Sequence, residues 1–218
     1  MQKVAALVLT IVMLQAAPAV ADPAGDYAAL ITAAKEGDPG TDYTAMRQAY
    51  AMIGDYDPFG DKTNALMRDG QAAYVAKNCK TALEKFKAAI ALNFTLSDAH
   101  ALSADCLEQA GDKIGEQREE AIAQGLFNSL ISSGDGQSPA TAFRIVTMHE
   151  ETVILAVSGV NGTKKTMITT DQGPVDKIDI TDQQTGKKGA VFFNTGVVMI
   201  ASAMQKAKSR TPATPAKP

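Results

Sequence analysis

Apolar residues recur at intervals of three and four along the first half of the chain, which is the pattern of helices that bury one face. Most of these runs follow a polar residue, and Pro58 and Gly60 interrupt the pattern between the second and the third run. Ser97 or Asp98 is a suitable N-cap for the fifth helix. The pattern predicts six helices, at residues 26–35, 42–52, 64–76, 81–92, 97–110 and 115–131.

The third and fourth predicted helices carry small and bulky residues at the spacing of a tetratricopeptide-like hairpin, a repeat of roughly 34 residues. These residues are Leu66, Gly70, Ala82, Phe86 and Ala89. One period later the match is partial, because two acidic residues, at 116 and 120, occupy positions where apolar residues are expected. We therefore predict stacked helical hairpins, and a generic helical bundle with chance spacing stays open as the alternative.

Beyond a turn-rich loop at residues 132–139, the apolar period changes to two, which is typical of strands. Runs rich in Val, Ile, Phe and Thr alternate with Gly-, Asn- and Asp-containing turns, as in a sheet built from hairpins. They predict about five strands, a common sheet size, at 142–148, 152–157, 166–170, 177–181 and 190–194. Residues 197–204 fit either a strand or a helix. The predicted fold class is α+β, with tetratricopeptide-like helical hairpins followed by a small antiparallel β-meander.

The N-terminus has the features of a secretory signal peptide. Lys3 precedes an apolar run at residues 4–14, and Ala19-Val20-Ala21 forms a small-x-small cleavage site. The run is shorter than the roughly 20 residues that a permanent membrane helix needs. We therefore expect cleavage after Ala21 and a periplasmic or secreted protein.

The charge of the chain is unevenly distributed. It has 21 Lys+Arg and 24 Asp+Glu, a net charge of −3, which gives no general attraction to nucleic acid. Residues 204–218 nevertheless contain Lys206, Lys208, Arg210 and Lys217 and no acid, so this segment could weakly contact an anionic surface or be a solvated disordered tail. The predicted organisation is a signal peptide at 1–21, a helical region at 22–133, an antiparallel β region at 134–203 and a basic Pro/Ala-rich disordered tail at 204–218.

Cys79 and Cys106 are the only two cysteines. An even number in an exported chain favours a disulfide, and the two residues lie on successive, antiparallel predicted helices at similar heights. Two free buried thiols are the alternative, and a redox-active pair is disfavoured because the CxxC spacing is absent. We predict a structural disulfide.

Residues suited to catalysis are few. Two histidines exclude a three-His zinc site, and the HExxH and GxSxG motifs are absent, so we predict no metal site and no cofactor. Glu150 and Glu151, if on a strand, would point to opposite faces and form no carboxylate pair. The weak catalytic candidates are His100, Asp135 and Glu150, which with Asp98 and His149 are expected near the junction of helices and sheet.

A series of short motifs runs along residues 26–195. Its members are Asp42-Tyr43, Arg47, Tyr50, Tyr56-Asp57-Pro58-Phe59-Gly60, Asp98-Ala99-His100, Gly125-Leu126, Ser129-Leu130-Ile131, Gly134-Asp135-Gly136, Ser138-Pro139, Ala142-Phe143, Glu150-Glu151, Gly159, Asp176 and Phe192-Phe193-Asn194. Their order resembles the domain-of-unknown-function family 4919, a bacterial family of uncharacterised exported proteins, although Thr152 and Phe192 depart from its pattern. The resemblance implies export and a single structural unit, but no reaction.

Two functions are compatible with these features. The first is a non-catalytic module that binds a protein or peptide of the cell envelope, because stacked helical hairpins form concave binding surfaces. The second, less favoured, is a hydrolase acting on an envelope substrate with its polar site near the helix–sheet junction. We expect no nucleic-acid partner and no transmembrane segment.

Overall fold

The computed structural model describes residues 22–210, without the side chains of residues 205 and 208–210. It shows a helical part followed by a sheet, which confirms the α+β class. The predicted signal peptide and residues 211–218 of the predicted tail lie outside the described residues. In the described part, no helix has the length and apolar character to cross a membrane.

Six helices form the first part of the molecule, close to the predicted bounds. They are α1 (Pro23–Glu36), α2 (Tyr43–Tyr50), α3 (Asn64–Val75), α4 (Cys79–Leu92), α5 (Ser97–Ala110) and α6 (Lys113–Ile131). The cap residue of α5 is Leu96, not the predicted Ser97 or Asp98, and Leu96 makes no side-chain cap hydrogen bond. Local capping chemistry therefore does not determine where this helix begins.

Helices α3, α4 and α5 pack as successive antiparallel hairpins. Gly70 of α3 allows the ring of Phe86 to approach closely, because a Cβ added at Gly70 would lie 2.6 Å from that ring. A disulfide joins Cys79 at the start of α4 to Cys106 near the end of α5, with 5.2 Å between the two Cα atoms. The predicted bridge is thus confirmed, and it ties the two helices at the end where one begins and the other ends.

The sheet has four strands in the order β1-β4-β3-β2. The strands are β1 (Phe143–Arg144), β2 (Val160–Thr170), β3 (Gly173–Asp182) and β4 (Lys188–Asn194). Strands β2, β3 and β4 form the predicted antiparallel meander. Strand β1 pairs with β4 in parallel, with Phe143 opposite Phe193, so the sheet is mixed and not purely antiparallel.

One predicted strand is wrong and another is too long. Residues 152–157 belong to helix α7 (His149–Val157), and only residues 143–144 of the predicted strand 142–148 pair as a strand. The β-branched run Thr152–Ile154 locally favours a strand. Helix formation prevails because Val153 and Ile154 are both buried in the helix, and Glu150 and Glu151 suit its positive N-terminal end.

A last helix, α8 (Gly196–Arg210), resolves the ambiguity at residues 197–204 in favour of a helix. It also makes residues 204–210 of the predicted disordered tail helical. One core cluster joins this helix, α6, α7 and the sheet; its buried members are Leu130, Ile145, Ile154, Ile178, Phe193 and Val198. The helical part and the sheet thereby meet around α7, where most of the buried charges lie.

Candidate functional site

The first turn of α7 carries three consecutive ionisable residues, and each binds a different part of the molecule. Successive residues of a helix point about 100° apart, so three neighbours on one turn face three directions. The partners are Asp98 of α5 for His149, Arg47 of α2 for Glu150, and Lys165 of β2 for Glu151. We call this turn the α7 junction. It is helical where the sequence predicts the connection between two strands, at 142–148 and 152–157.

The Arg47–Glu150 pair is the most buried contact of the α7 junction, and both residues are about 95% buried. Arg47 Nε and Nη2 donate to the two carboxylate oxygens of Glu150 at 2.8 and 3.0 Å. Nη2 also donates to the carbonyl of Arg144, and Glu150 Oε2 accepts the N–H of Val146 at 2.7 Å. Both carboxylate oxygens of Glu150 are therefore engaged in hydrogen bonds within the protein.

Burial and the neighbouring carboxylate of Asp98 have opposite effects on the pKa of His149. Its Nε2 is 2.8 Å from Asp98 Oδ1. Burial alone would lower the pKa of His149, but the hydrogen bond and charge of Asp98, with the charge of Glu150, outweigh burial and raise this pKa above its usual value. Folding thus favours the charged form of the imidazole more than the unfolded chain does.

Glu151 shares one lysine with a second carboxylate. Lys165 Nζ lies 2.6 Å from Glu151 Oε2 and 2.8 Å from Asp176 Oδ2. Glu151 Oε1 is buried and has no hydrogen-bond partner among the described residues. Burial raises the pKa of Glu151 to about 7, with Lys165 opposing the shift and Asp176 adding to it. The carboxyl group of Glu151 therefore holds a proton more strongly than an exposed glutamate does.

A groove with a volume of about 500 Å³ opens on the helical part, and residues of α1, α4, α5 and α6 line it. We call it the helical groove. His100 lies almost fully buried in its wall, with Nδ1 2.6 Å from Glu119 Oε2 and Nε2 3.0 Å from the carbonyl of Phe94. Because a carbonyl only accepts, Nε2 carries a hydrogen, and the imidazole is fixed on both sides.

The helical groove combines an apolar floor with basic residues. Its apolar lining includes Ile31, Leu83, Ile90, Phe94 and Leu107. Its exposed basic side chains are Lys35, Lys87 and Arg118. In the part of the chain that the structure describes, neither lysine has an ion pair, whereas Arg118 Nε lies 3.9 Å from Oε1 of Glu119, which also lines the groove. Glu119 therefore offsets part of the basic charge of the groove, and no acidic side chain pairs with Lys35 or Lys87 among the described residues.

The three weak catalytic candidates do not come together. His100 is in the helical groove, Glu150 is in the α7 junction, and Asp135 is in the exposed loop before the sheet. Asp135 Oδ1 accepts the N–H of Gln137 at 2.9 Å, and hydrogen bonds from Thr141 and Gln137 lower the pKa of Asp135. Of the polar residues expected near the junction, only Asp98 and His149 contact each other.

Several partners in these contacts carry no catalytic signal in the sequence. Arg47 and Asp176 belong to the motifs that carry the family resemblance, but the resemblance assigns no role to either residue. Glu119 and Lys165 lie outside those motifs, and neither hydrophobic periodicity nor spacing singles them out. Among the described residues, no group of three or more His, Cys, Asp or Glu side chains is placed to hold a metal ion.

A comparison with protein families assigns the chain to one whose function is undefined. The family model described as Domain of unknown function (DUF4919) matches residues 19–202, the larger part of the chain. No curated protein and no solved structure matches the chain.

Proposed function

We propose that the chain, which belongs to the family Domain of unknown function (DUF4919), is a non-catalytic module that binds a protein or peptide of the cell envelope. The observation that carries this proposal is the helical groove, which is both apolar and basic. Apolar clefts with a few polar groups are the common form of binding sites.

The ligand chemistry follows from the groove's lining. Apolar side chains of a peptide would contact the floor formed by residues such as Leu83 and Ile90, and carboxylates would face Lys35, Lys87 and Arg118. A second hollow of about 290 Å³ adjoins the groove and shares Phe94 and three other lining residues with it. The two together suit an extended segment, so the ligand we propose is an acidic peptide with apolar side chains.

The expectation that the protein is exported supports an envelope ligand. The features of a signal peptide at residues 1–21 and the disulfide between Cys79 and Cys106 are both typical of proteins in oxidising compartments. A hydrolase is the weaker alternative, because His100, Asp135 and Glu150 make no contact with one another in the described part of the chain.

The test uses short synthetic peptides in which Leu and Phe alternate with Asp and Glu, and matched peptides in which Lys replaces each acid. We expect the acidic peptides to bind, measured by fluorescence anisotropy. The double variant Lys87→Glu/Arg118→Glu should weaken this binding about tenfold, or ~1.4 kcal/mol, because it reverses two rim charges.

The matched control is Lys164→Glu/Lys188→Glu, which makes the same charge change at exposed residues of the sheet. It should bind the acidic peptides as the unaltered protein does. Equal binding of acidic and basic peptides, no binding at all, or an equal loss in both double variants would overturn the proposal.

A further inference from the structure

Another cleft has Arg47 in its wall, and none of its lining residues belongs to the helical groove. Its volume is about 280 Å³, and residues of α2, the end of α6, the segment from β1 to Val146 and the start of α8 line it. The lining is rich in hydroxyl groups and arginines and contains no acid; its polar members include Thr44, Arg47, Ser129, Ser132, Ser133 and Arg144. We call it the serine cleft.

Ser129 is the best-defined hydroxyl of the serine cleft. Its Oγ accepts hydrogen bonds from Thr44 Oγ1 and from Arg47 Nη1, both at 3.1 Å. A serine oxygen has two lone pairs and one hydrogen, so these bonds occupy both lone pairs and leave the hydrogen to donate. Among the described residues no acceptor receives that hydrogen, so Ser129 can donate it to a ligand oxygen.

Arg144 brings a positive charge to the same cleft. Its backbone is fixed, because its N–H donates to Ser133 Oγ at 2.8 Å and its carbonyl accepts from Arg47. Its exposed guanidinium makes no ion pair or side-chain hydrogen bond within residues 22–210. Arg47 differs, since Glu150 already neutralises its charge. The unbalanced charge of the cleft is therefore that of Arg144.

We propose that the serine cleft binds a small oxyanion, a carboxylate or phosphate group, between the Arg144 guanidinium and the Ser129 hydroxyl. Guanidinium forms charge-assisted, paired hydrogen bonds with either group, and a hydroxyl adds a donor. Arg47 acts as a positioning residue, because it orients Ser129 and the Arg144 carbonyl. Ile145, Val146 and Val197 supply an apolar wall, so an anion with a small apolar part fits the site. This inference is independent of peptide binding by the helical groove.

The test is isothermal titration calorimetry of the purified chain with sodium acetate and with sodium phosphate, at an ionic strength held constant with sodium chloride. We expect saturable binding of at least one of the two probes. Arg144→Ala should weaken it about tenfold or more, because the main charge is lost, and Ser129→Ala should weaken it by less.

The matched control is Arg68→Ala, which removes an exposed arginine of α3 that does not line the cleft. Binding should be unchanged in this variant.

Binding of acetate alone would indicate a carboxylate ligand, and binding of phosphate alone would indicate a phosphate ligand. The proposal would be overturned if neither acetate nor phosphate gave binding heat beyond that of the same titration with sodium chloride. It would also be overturned if Arg144→Ala bound the probe with the affinity of the unaltered protein. Since Arg144 and Ser129 are not buried, both variants are expected to fold, which circular dichroism checks.

Discussion

The α3–α5 hairpins and the α7 junction are held together in opposite ways. The hairpins bury apolar residues such as Phe86 between helices adjacent in the sequence, and their disulfide joins residues 27 apart. The α7 junction depends on buried charges whose partners are distant, since Arg47 and Glu150 are 103 residues apart. Apolar packing tolerates small adjustments of position, but a buried charge without its partner is strongly destabilising. The two regions should therefore respond differently to mutation, reduction and pH.

Glu150→Ala should have the largest effect. It leaves the Arg47 guanidinium buried without its counter-charge, which costs about 3–5 kcal/mol when one partner of a buried pair is removed. Urea unfolding followed by circular dichroism measures the loss. Glu84→Ala, at an exposed glutamate of α4, is the control and should change the free energy of unfolding by less than about 0.5 kcal/mol. Similar losses in the two variants would contradict the central role of the α7 junction.

The double variant Arg47→Met/Glu150→Met separates the buried charge from the lost packing. An apolar pair of similar volume can replace a buried ion pair at little cost. We expect the double variant to be more stable than Glu150→Ala. If it is equally unstable, the loss in Glu150→Ala comes from packing and hydrogen bonds such as the one to Val146, not from the unpaired charge.

Reduction of the disulfide should have the next largest effect, and it acts on the other region. Opening a loop of 27 residues costs about 3–4 kcal/mol in the chain-entropy model. Urea unfolding with and without reductant measures it, and intact mass verifies reduction. Because the disulfide and Glu150 share no partner, the losses from reduction and from Glu150→Ala should add. A marked departure from additivity would mean that the two regions are not independent.

The His149–Asp98 contact should have the smallest and most pH-dependent effect. A folded-state pKa above the unfolded value gives stability that is fully present below the unfolded pKa and is lost as pH rises through the folded one. Asp98→Asn should therefore destabilise the protein by about 1 kcal/mol at acidic pH and by less at alkaline pH. Chemical unfolding at a series of pH values measures this, with Asp171→Asn, at an exposed aspartate of the turn between β2 and β3, as control. A difference that grows as pH rises would contradict the assignment.

The same contrast explains how much of the fold the sequence could predict. The six helices, the three long strands and the Cys79–Cys106 bridge depend on contacts between neighbouring segments, so periodicity, turn residues and simple helix geometry located them. Helix α7 and strand β1 depend on distant partners. The run Thr152–Ile154 favours a strand locally, and only the buried contacts of α7 with distant elements favour a helix.

The candidate sites were less predictable than the fold, for the same reason. His100 stands out in the sequence because histidine is a reactive residue type, but its partner Glu119 lies on the next helix, and no local pattern marks Glu119. The helical groove combines lining residues from four helices, so its basic and apolar character emerges only when these pack together. Asp135, in contrast, occupies the exposed turn that its Gly-rich surroundings suggest.

The α7 junction also makes the length of one short segment critical. Residues 145–148 connect β1, whose register is fixed by Phe193, to His149. Inserting or deleting one residue there would rotate the first turn of α7 by about 100° relative to β1, and all three charged side chains would face the wrong partners together. The exposed turn at residues 183–187 has no such dependence. Among related chains, we expect insertions and deletions in that turn and a constant spacing between β1 and α7.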